Sequence, residues 1–208
     1  MSETPFSPSP RRPICAQCLR PTTSCICGAV RPVRVTTEVL ILMHPDEARH
    51  AKNTGRLLHL CLPGSRLLSG TRFDDHVLND ALFCAWGDQP PPEHTLLLYP
   101  GTGGVSMPKT ATGARVRLVL IDATWRKSRQ LVAAHAQLQR LPRLALNDPP
   151  PSRYAIRKAH EAHQLSTLEA AQLALTLLEP ASGSGLKGLN DAMAAFVAIQ
   201  RPFWPHAT

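Results

Sequence analysis

The spacing of its apolar runs constrains this chain most. Val35 to Met43, Thr95 to Tyr99 and Arg115 to Ile121 are short, apolar stretches, the pattern of strands covered on both faces. Ser65 to Leu68 and Leu144 to Leu146 are shorter candidates. Stretches with helical spacing lie between and after them: Glu47 to Leu62, Asp75 to Phe83 within the less regular Thr71 to Ala85, Arg126 to Leu141, Ala155 to Leu178 and Leu189 to Gln200. This alternation predicts an α/β fold with a mainly parallel sheet and flanking helices. Proline and glycine mark the ends of these runs, at His44-Pro45, Pro63-Gly64, Tyr99-Pro100-Gly101 and Pro202, and Pro180 to Gly188 reads as a loop. With 20 prolines and 12 glycines the chain is no helical bundle or coiled coil.

Its 208 residues suit one ordinary domain with a small appendage, and 43% apolar content is enough for a core. Only 18% of residues are charged, which excludes a disordered acidic or basic protein. Lys and Arg number 23 against 15 Asp and Glu, a net charge of +8 that favours an anionic partner. No apolar run approaches the ~18 residues of a membrane span. Residues 1–13 are rich in Pro, Ser and Thr, end in Arg11-Arg12-Pro13 and lack an apolar signal region. We read them as a disordered basic tail. A cytoplasmic location is expected, with no membrane and no evident obligate protein partner.

Four of the six cysteines form Cys15-x-x-Cys18 and Cys25-x-Cys27. Two thiolate pairs joined by a short loop can converge on one tetrahedral zinc. A disulfide framework or free thiols are the alternatives, the first disfavoured in a reducing compartment. Such a site is closed and structural, and fixes a segment too small to fold alone. We assign residues 14–30 to this zinc knuckle and 31–208 to the α/β domain. Arg11, Arg12, Arg20, Arg31 and Arg34 surround the knuckle, either as an RNA-contacting rim or as a solvated basic edge. Cys61, in an apolar stretch, reads as a buried inert thiol.

In parallel sheets ligands sit beyond the carboxyl ends of strands. Three such ends are polar or glycine-rich: His44 to Glu47, Tyr99 to Gly104 and Asp122 to Trp125. They are expected to converge on one pocket. Gly183-x-Gly185-x-x-Gly188 follows a helix and Pro180 rather than a strand, so dinucleotide binding is rejected there. Gly101 to Thr110 lacks a Walker ending, and His160 with His163 reads as ordinary surface or core histidine.

Asp122-Ala123-Thr124-Trp125 at a strand end resembles the D-x-T-W signature of the DTW-domain proteins. The Cys15–Cys27 cluster resembles the zinc-binding start of that family. So do His44-Pro45-x-Glu47 with Asn53-Thr54-Gly55-Arg56-Leu57, then Tyr99-Pro100, then Ser152-Arg153-Tyr154-x-x-Arg157 with Leu165-Ser166-Thr167-x-Glu169-Ala170, in the family's order. The resemblance implies a SPOUT-like α/β protein with a knotted cofactor site. It implies a tRNA-uridine aminocarboxypropyltransferase that moves the 3-amino-3-carboxypropyl group of S-adenosylmethionine to N3 of a tRNA uridine, releasing methylthioadenosine. A SPOUT-like RNA methyltransferase and a non-catalytic zinc-ribbon RNA-binding protein are the alternatives.

For that chemistry Asp122 is the candidate catalytic or substrate-orienting group, with a helix N-cap as its competing role. Thr124 can supply the cap instead. Trp125 is the second catalytic candidate, stacking on a base or walling the cofactor pocket. Asn53, Thr54 and Gly55, then Tyr99, Pro100 and Gly101, then Thr124 and Glu169, complete the expected S-adenosylmethionine site together with Asp122 and Trp125. Gly55 costs about 1 kcal/mol in a helix against Ala, so a close approach by ligand or chain is expected there. Arg126, Lys127 and Arg129, with Arg153, Arg157 and Lys158, are the expected RNA phosphate contacts.

Overall fold

The computed structural model describes residues 13–48, 50–100, 113–152, 154, 165–180 and 183–203. Five strands form one sheet: β1 (Glu38–Met43), β2 (Arg66–Ser69), β3 (His94–Leu98), β4 (Val116–Asp122) and β5 (Arg143–Leu144). Their order is β2-β1-β4-β3-β5, and every pairing is parallel. The helices described are α1 (Pro45–Ala48), α2 (Gly55–Cys61), α3 (Asp75–Phe83), α4 (Trp125–Ala134), α5 (Ala136–Arg140), α6 (Thr167–Leu178) and α7 (Gly183–Gln200).

Side chains alternate across each strand, so the apolar runs feed two cores. Val39 and Ile41 of β1 and Leu118 and Leu120 of β4 join α2, α6 and α7 on one face. Leu40, Leu42 and Val119 join Leu78 and Leu82 of α3 and Leu131, Val132 and Leu138 of α4 and α5 on the other. The helix after β1 thus covers one face and the helix after β4 covers the other. Between these neighbouring strands the sheet has its topological switch point, where a crevice opens at the carboxyl ends. The register sets Met43 beside Asp122 at that point.

The cysteine segment belongs to the first core. Cys18, Ile26 and Ala29 are buried in it, and the 3-10 turn Cys27–Ala29 lies against α7.

Several boundaries differ from the sequence reading. The helix expected over Glu47–Leu62 is two, α1 and α2, with Asn53 and Thr54 between them. The helix expected over Arg126–Leu141 breaks at His135, whose buried ring accepts the Phe73 N–H through Nε2 at 3.2 Å. Of the helix expected over Ala155–Leu178, the described part is α6, capped by Ser166 and starting at Thr167; residues 155–164 lie outside the described residues. The loop expected over Pro180–Gly188 is helical from Gly183. Its three glycines disfavour a helix, but tertiary packing overrides them. A Cβ on Gly188 would lie 2.7 Å from Val33 Cγ2, so this residue lets α7 seat against the segment that leads into β1.

Candidate functional site

The four-residue motif divides its labour at the end of β4. Thr124, not Asp122, is the N-cap of α4, its side chain accepting the Lys127 N–H. Asp122 is therefore released from capping, and it turns inward, 5% exposed. Its Oδ2 accepts a hydrogen bond from Asn53 Nδ2, and its Oδ1 accepts from Thr167 Oγ1 at 2.6 Å. One carboxylate thereby ties the segment before α2 and the first residue of α6 to the switch point. The His44 N–H donates to the Asp122 carbonyl at 3.0 Å, which adds the end of β1.

Gly55 is required by this approach. A Cβ there would lie 2.5 Å from Asp122 Oδ2, so the close neighbour expected from the sequence is the motif aspartate itself. Asn53 accepts the Arg56 N–H of the first turn of α2 on Oδ1 at 2.9 Å while its amide faces Asp122. Thr54 accepts the Leu168 N–H at 3.4 Å and so helps hold the start of α6. Both residues are buried and polar, and each has its partners, as burial demands.

In front of this cluster lies a cavity of about 550 Å³, within the ~300–1,000 Å³ of small-molecule sites. Tyr99 and Pro100 after β3, Ala123 and Trp125 after β4, Leu144 to Asn147 at and after β5, and Ser166 and Thr167 at the start of α6 line it. Trp125 is 50% exposed and meets Tyr99 edge to face at 5.9 Å. Tyr99 is held by Ser128 through its hydroxyl at 3.2 Å and by the Arg143 guanidinium 4.8 Å from its ring. A large aromatic left half open beside a cavity is available to stack on a planar ligand.

The strand ends expected to converge do so unequally. The ends of β3 and β4 line the cavity; the end of β1 reaches Asp122 from behind. Thr167 is the residue that sequence reasoning left out, since it both lines the cavity and donates to Asp122. The L-S-T-x-E run carried the signal, because Ser166 and Glu169 form a capping box that places Thr167 at the helix start. Glu169 lies in that box: Oε2 accepts the Ser166 N–H at 2.8 Å and the Ser152 hydroxyl at 2.9 Å. Arg126 and Arg129 are exposed on α4 beside Trp125. The Lys127 ammonium instead pairs with Asp46 at 2.7 Å, bridging α4 to α1. Gly101, Arg153, Arg157 and Lys158 lie outside the described residues.

The four clustered cysteines come together as expected. Their sulfurs all lie within 4.8 Å of one another, with Cys15 and Cys27 at 3.6 Å and Cys18 and Cys25 at 3.7 Å. Tetrahedral thiolates about 2.3 Å from a zinc stand ~3.8 Å apart, so the donor set fits that ion. Backbone N–H groups of Cys18 and then Gln17 pull the Cys15 thiol down to about 6, the direction that favours a thiolate ligand. Of the surrounding arginines, Arg31 and Arg34 are exposed. Arg20 is not part of a solvated rim, for it is buried at 7% exposure.

Comparison with known proteins identifies the family. The DTW domain family matches residues 12–201. The chain is 33% identical over 184 residues to tRNA-uridine aminocarboxypropyltransferase 2 of Mus musculus, covering 84% of this chain and 59% of that protein. It is 36% identical over 177 residues to the protein of the same name from Drosophila melanogaster, covering 83% and 69%. It is 29% identical over 141 residues to tRNA-uridine aminocarboxypropyltransferase A of Arabidopsis thaliana, covering 60% and 52%. The chain thus spans about three-fifths of the length of its mouse relative. No solved structure matches it. With nearly its whole length under one family match, and the D-x-T-W residues assembled at the sheet's switch point, the chain belongs to the DTW-domain family.

Proposed function

We propose that this protein is a tRNA-uridine aminocarboxypropyltransferase with S-adenosylmethionine as its donor. One observation carries the reading: the half-exposed Trp125 stands over a cavity whose wall reaches Asp122 through the Thr167 hydroxyl. The names of its relatives support the substrate class.

The reaction must expose the first carbon of the donor's amino acid chain rather than its methyl. Orientation within the cavity is the main selector. Tyr99, Pro100 and Trp125 wall it, and Asn53, Thr54 and Gly55 support it from behind. The uridine N3 proton must leave before N3 becomes a good nucleophile. Thr167 stands between the cavity and Asp122, placed to accept that proton as its own passes to the carboxylate. The N3–carbon bond then forms as the carbon–sulfur bond breaks, and its electron pair leaves with methylthioadenosine. A positioned proton acceptor is worth ~10²–10⁴-fold.

Arg126 and Arg129, with Arg153, Arg157 and Lys158, serve as phosphate contacts, each adding about one to the salt slope of tRNA binding. The cysteine cluster holds a structural zinc. A SPOUT-like knotted cofactor site is part of the reading, supported by β4 entering between β1 and β3. So is a cytoplasmic setting, since clustered thiols that bind metal suit a reducing compartment. Among the described residues no helix is long and apolar enough to cross a membrane.

The test is incubation with unmodified tRNA and S-adenosylmethionine, then nucleoside mass spectrometry. An aminocarboxypropyl-uridine is expected. A methylated nucleoside would make the protein a methyltransferase, and no product with no donor binding would leave an RNA-binding protein. Asp122→Asn is expected to keep donor binding, measured by calorimetry, and to lose most turnover.

A further inference from the structure

Asn53 is held in place by side chains that come from far along the chain. Three consecutive carbonyls lead to it, and each has an outside donor. Arg20 Nη1 donates to Ala51 O at 2.6 Å, the Tyr154 hydroxyl to Lys52 O at 2.9 Å, and Arg20 Nη2 to Asn53 O at 2.9 Å. A guanidinium presents its donors in a fixed planar fork, so one side chain sets the spacing of the first and third carbonyls together. The charge lies 5.2 Å from the Phe196 ring of α7 and is buried, where it is tolerable only with its donors satisfied.

The other end of Arg20 is fixed in the cysteine segment. Its carbonyl accepts the Cys15 N–H at 2.8 Å, and the Leu19 N–H returns to Cys15 O at 2.9 Å. The preceding residue, Leu19, takes a positive φ of 58° to make that turn. Arg20 thus joins the turn between the two cysteine pairs to the peptide that ends in Asn53, whose amide contacts Asp122.

We infer that Arg20 is a positioning residue of the DTW site, coupling the cysteine segment to the orientation of the Asn53 amide and through it the Asp122 carboxylate. This rests on the proposed function for its catalytic consequence only. Lysine keeps the charge but has no fork, so it can serve one carbonyl well and not both. Arg20→Lys is therefore the informative variant, with Arg20→Ala beside it.

The Asn53 side-chain amide is followed by ¹⁵N NMR in the full chain, its signal assigned by its loss in Asn53→Ala. Arg20→Lys is expected to speed solvent exchange of that amide about tenfold or more, the worth of one hydrogen bond to a charged group. The backbone amides of Leu118 to Leu120 are expected to stay as protected as in the wild type. On tRNA, kcat is expected to fall about tenfold with KM within about twofold, the signature of lost orientation rather than lost binding. Unchanged Asn53 exchange in Arg20→Lys overturns the inference. So does faster exchange matched by equal loss at Leu118 to Leu120, which would make Arg20 a general stability residue. If the wild type makes no aminocarboxypropyl-uridine, the proposed function fails and the amide measurement still decides the role of Arg20.

Discussion

Arg20 and Arg117 are both buried guanidiniums, and they serve opposite ends of the same sheet. Arg117 lies near the amino end of β4, directly opposite Glu38 in the register. It contacts Glu38 at 2.6 Å, donates to the carbonyls of Ala81 and Cys84 at 2.9 Å each, and packs 4.1 Å from the Trp86 ring. All its partners are scaffold: a strand, the end of α3 and the turn after it. Arg20 uses the same chemistry at the carboxyl end, but its carbonyl partners lead to Asn53 and the switch point. The difference teaches that a buried charge takes its role from what its partners carry. Strand amino ends anchor the fold, and strand carboxyl ends carry the site.

The comparison can be broken first at the cysteine segment that fixes Arg20. Cys18→Ser removes one of four donors from the proposed zinc centre, and structural zinc of this type contributes on the order of 10 kcal/mol to folding. Elemental analysis is expected to show loss of stoichiometric metal, and calorimetry a large drop in Tm. Retained metal with an unchanged Tm would show that the cysteine segment does not depend on Cys18 to hold Arg20.

Arg117→Met comes next. It strands Glu38 and two carbonyls, at a cost of about 3 kcal/mol for a broken buried pair; the partial exposure of Glu38 softens this. Urea unfolding is expected to register the loss, while donor binding per folded molecule stays the same. Equal damage at the site would erase the contrast between the two ends. Gly55→Ala is smaller in stability, about 1–3 kcal/mol for overpacking against Asp122, yet turnover is expected to fall further than stability accounts for. An active, stable Gly55→Ala would show that Asp122 has room to move.

The smallest effect is in pH. Burial holds His135 below its ordinary value, as it does His59, with the nearby Arg56 adding to the effect there. A histidine whose folded pKa is depressed binds more protons unfolded than folded. Its contribution is therefore present above about pH 6.5 and is lost as pH falls through the range below it. The urea midpoint is expected to decline from pH 7.5 to 5.5, and less steeply in His135→Gln. Identical slopes would remove His135 as a cause.

The zinc-type cluster was legible from the spacing of its thiols, and the D-x-T-W motif from its resemblance to the DTW family at a predicted strand end. Thr167 was half legible, since its capping box is written in the sequence but lies inside the helical spacing of Ala155 to Leu178. The inward turn of Arg20 was not, because an arginine beside a cysteine pair looks the same whether it faces solvent or a buried carbonyl. Nor was the helical start of α7, where propensity points the wrong way and the close seat of Gly188 against Val33 is seen only in the packed structure.

By itself the sequence determined the parallel α/β class, the site of each strand, and the residue types at the strand ends, because apolar periodicity and local turn chemistry are properties of neighbours along the chain. Tertiary structure decided which of those residues meet. It freed Asp122 by giving the cap to Thr124, set Asn53 and Thr167 on its two oxygens, and ran Arg20 from the cysteine segment to the peptide before α2. The Thr124 cap is local, but the contacts of Asn53, Thr167 and Arg20 join residues tens of positions apart, and only packing the helices onto both faces of the sheet fixes such distances.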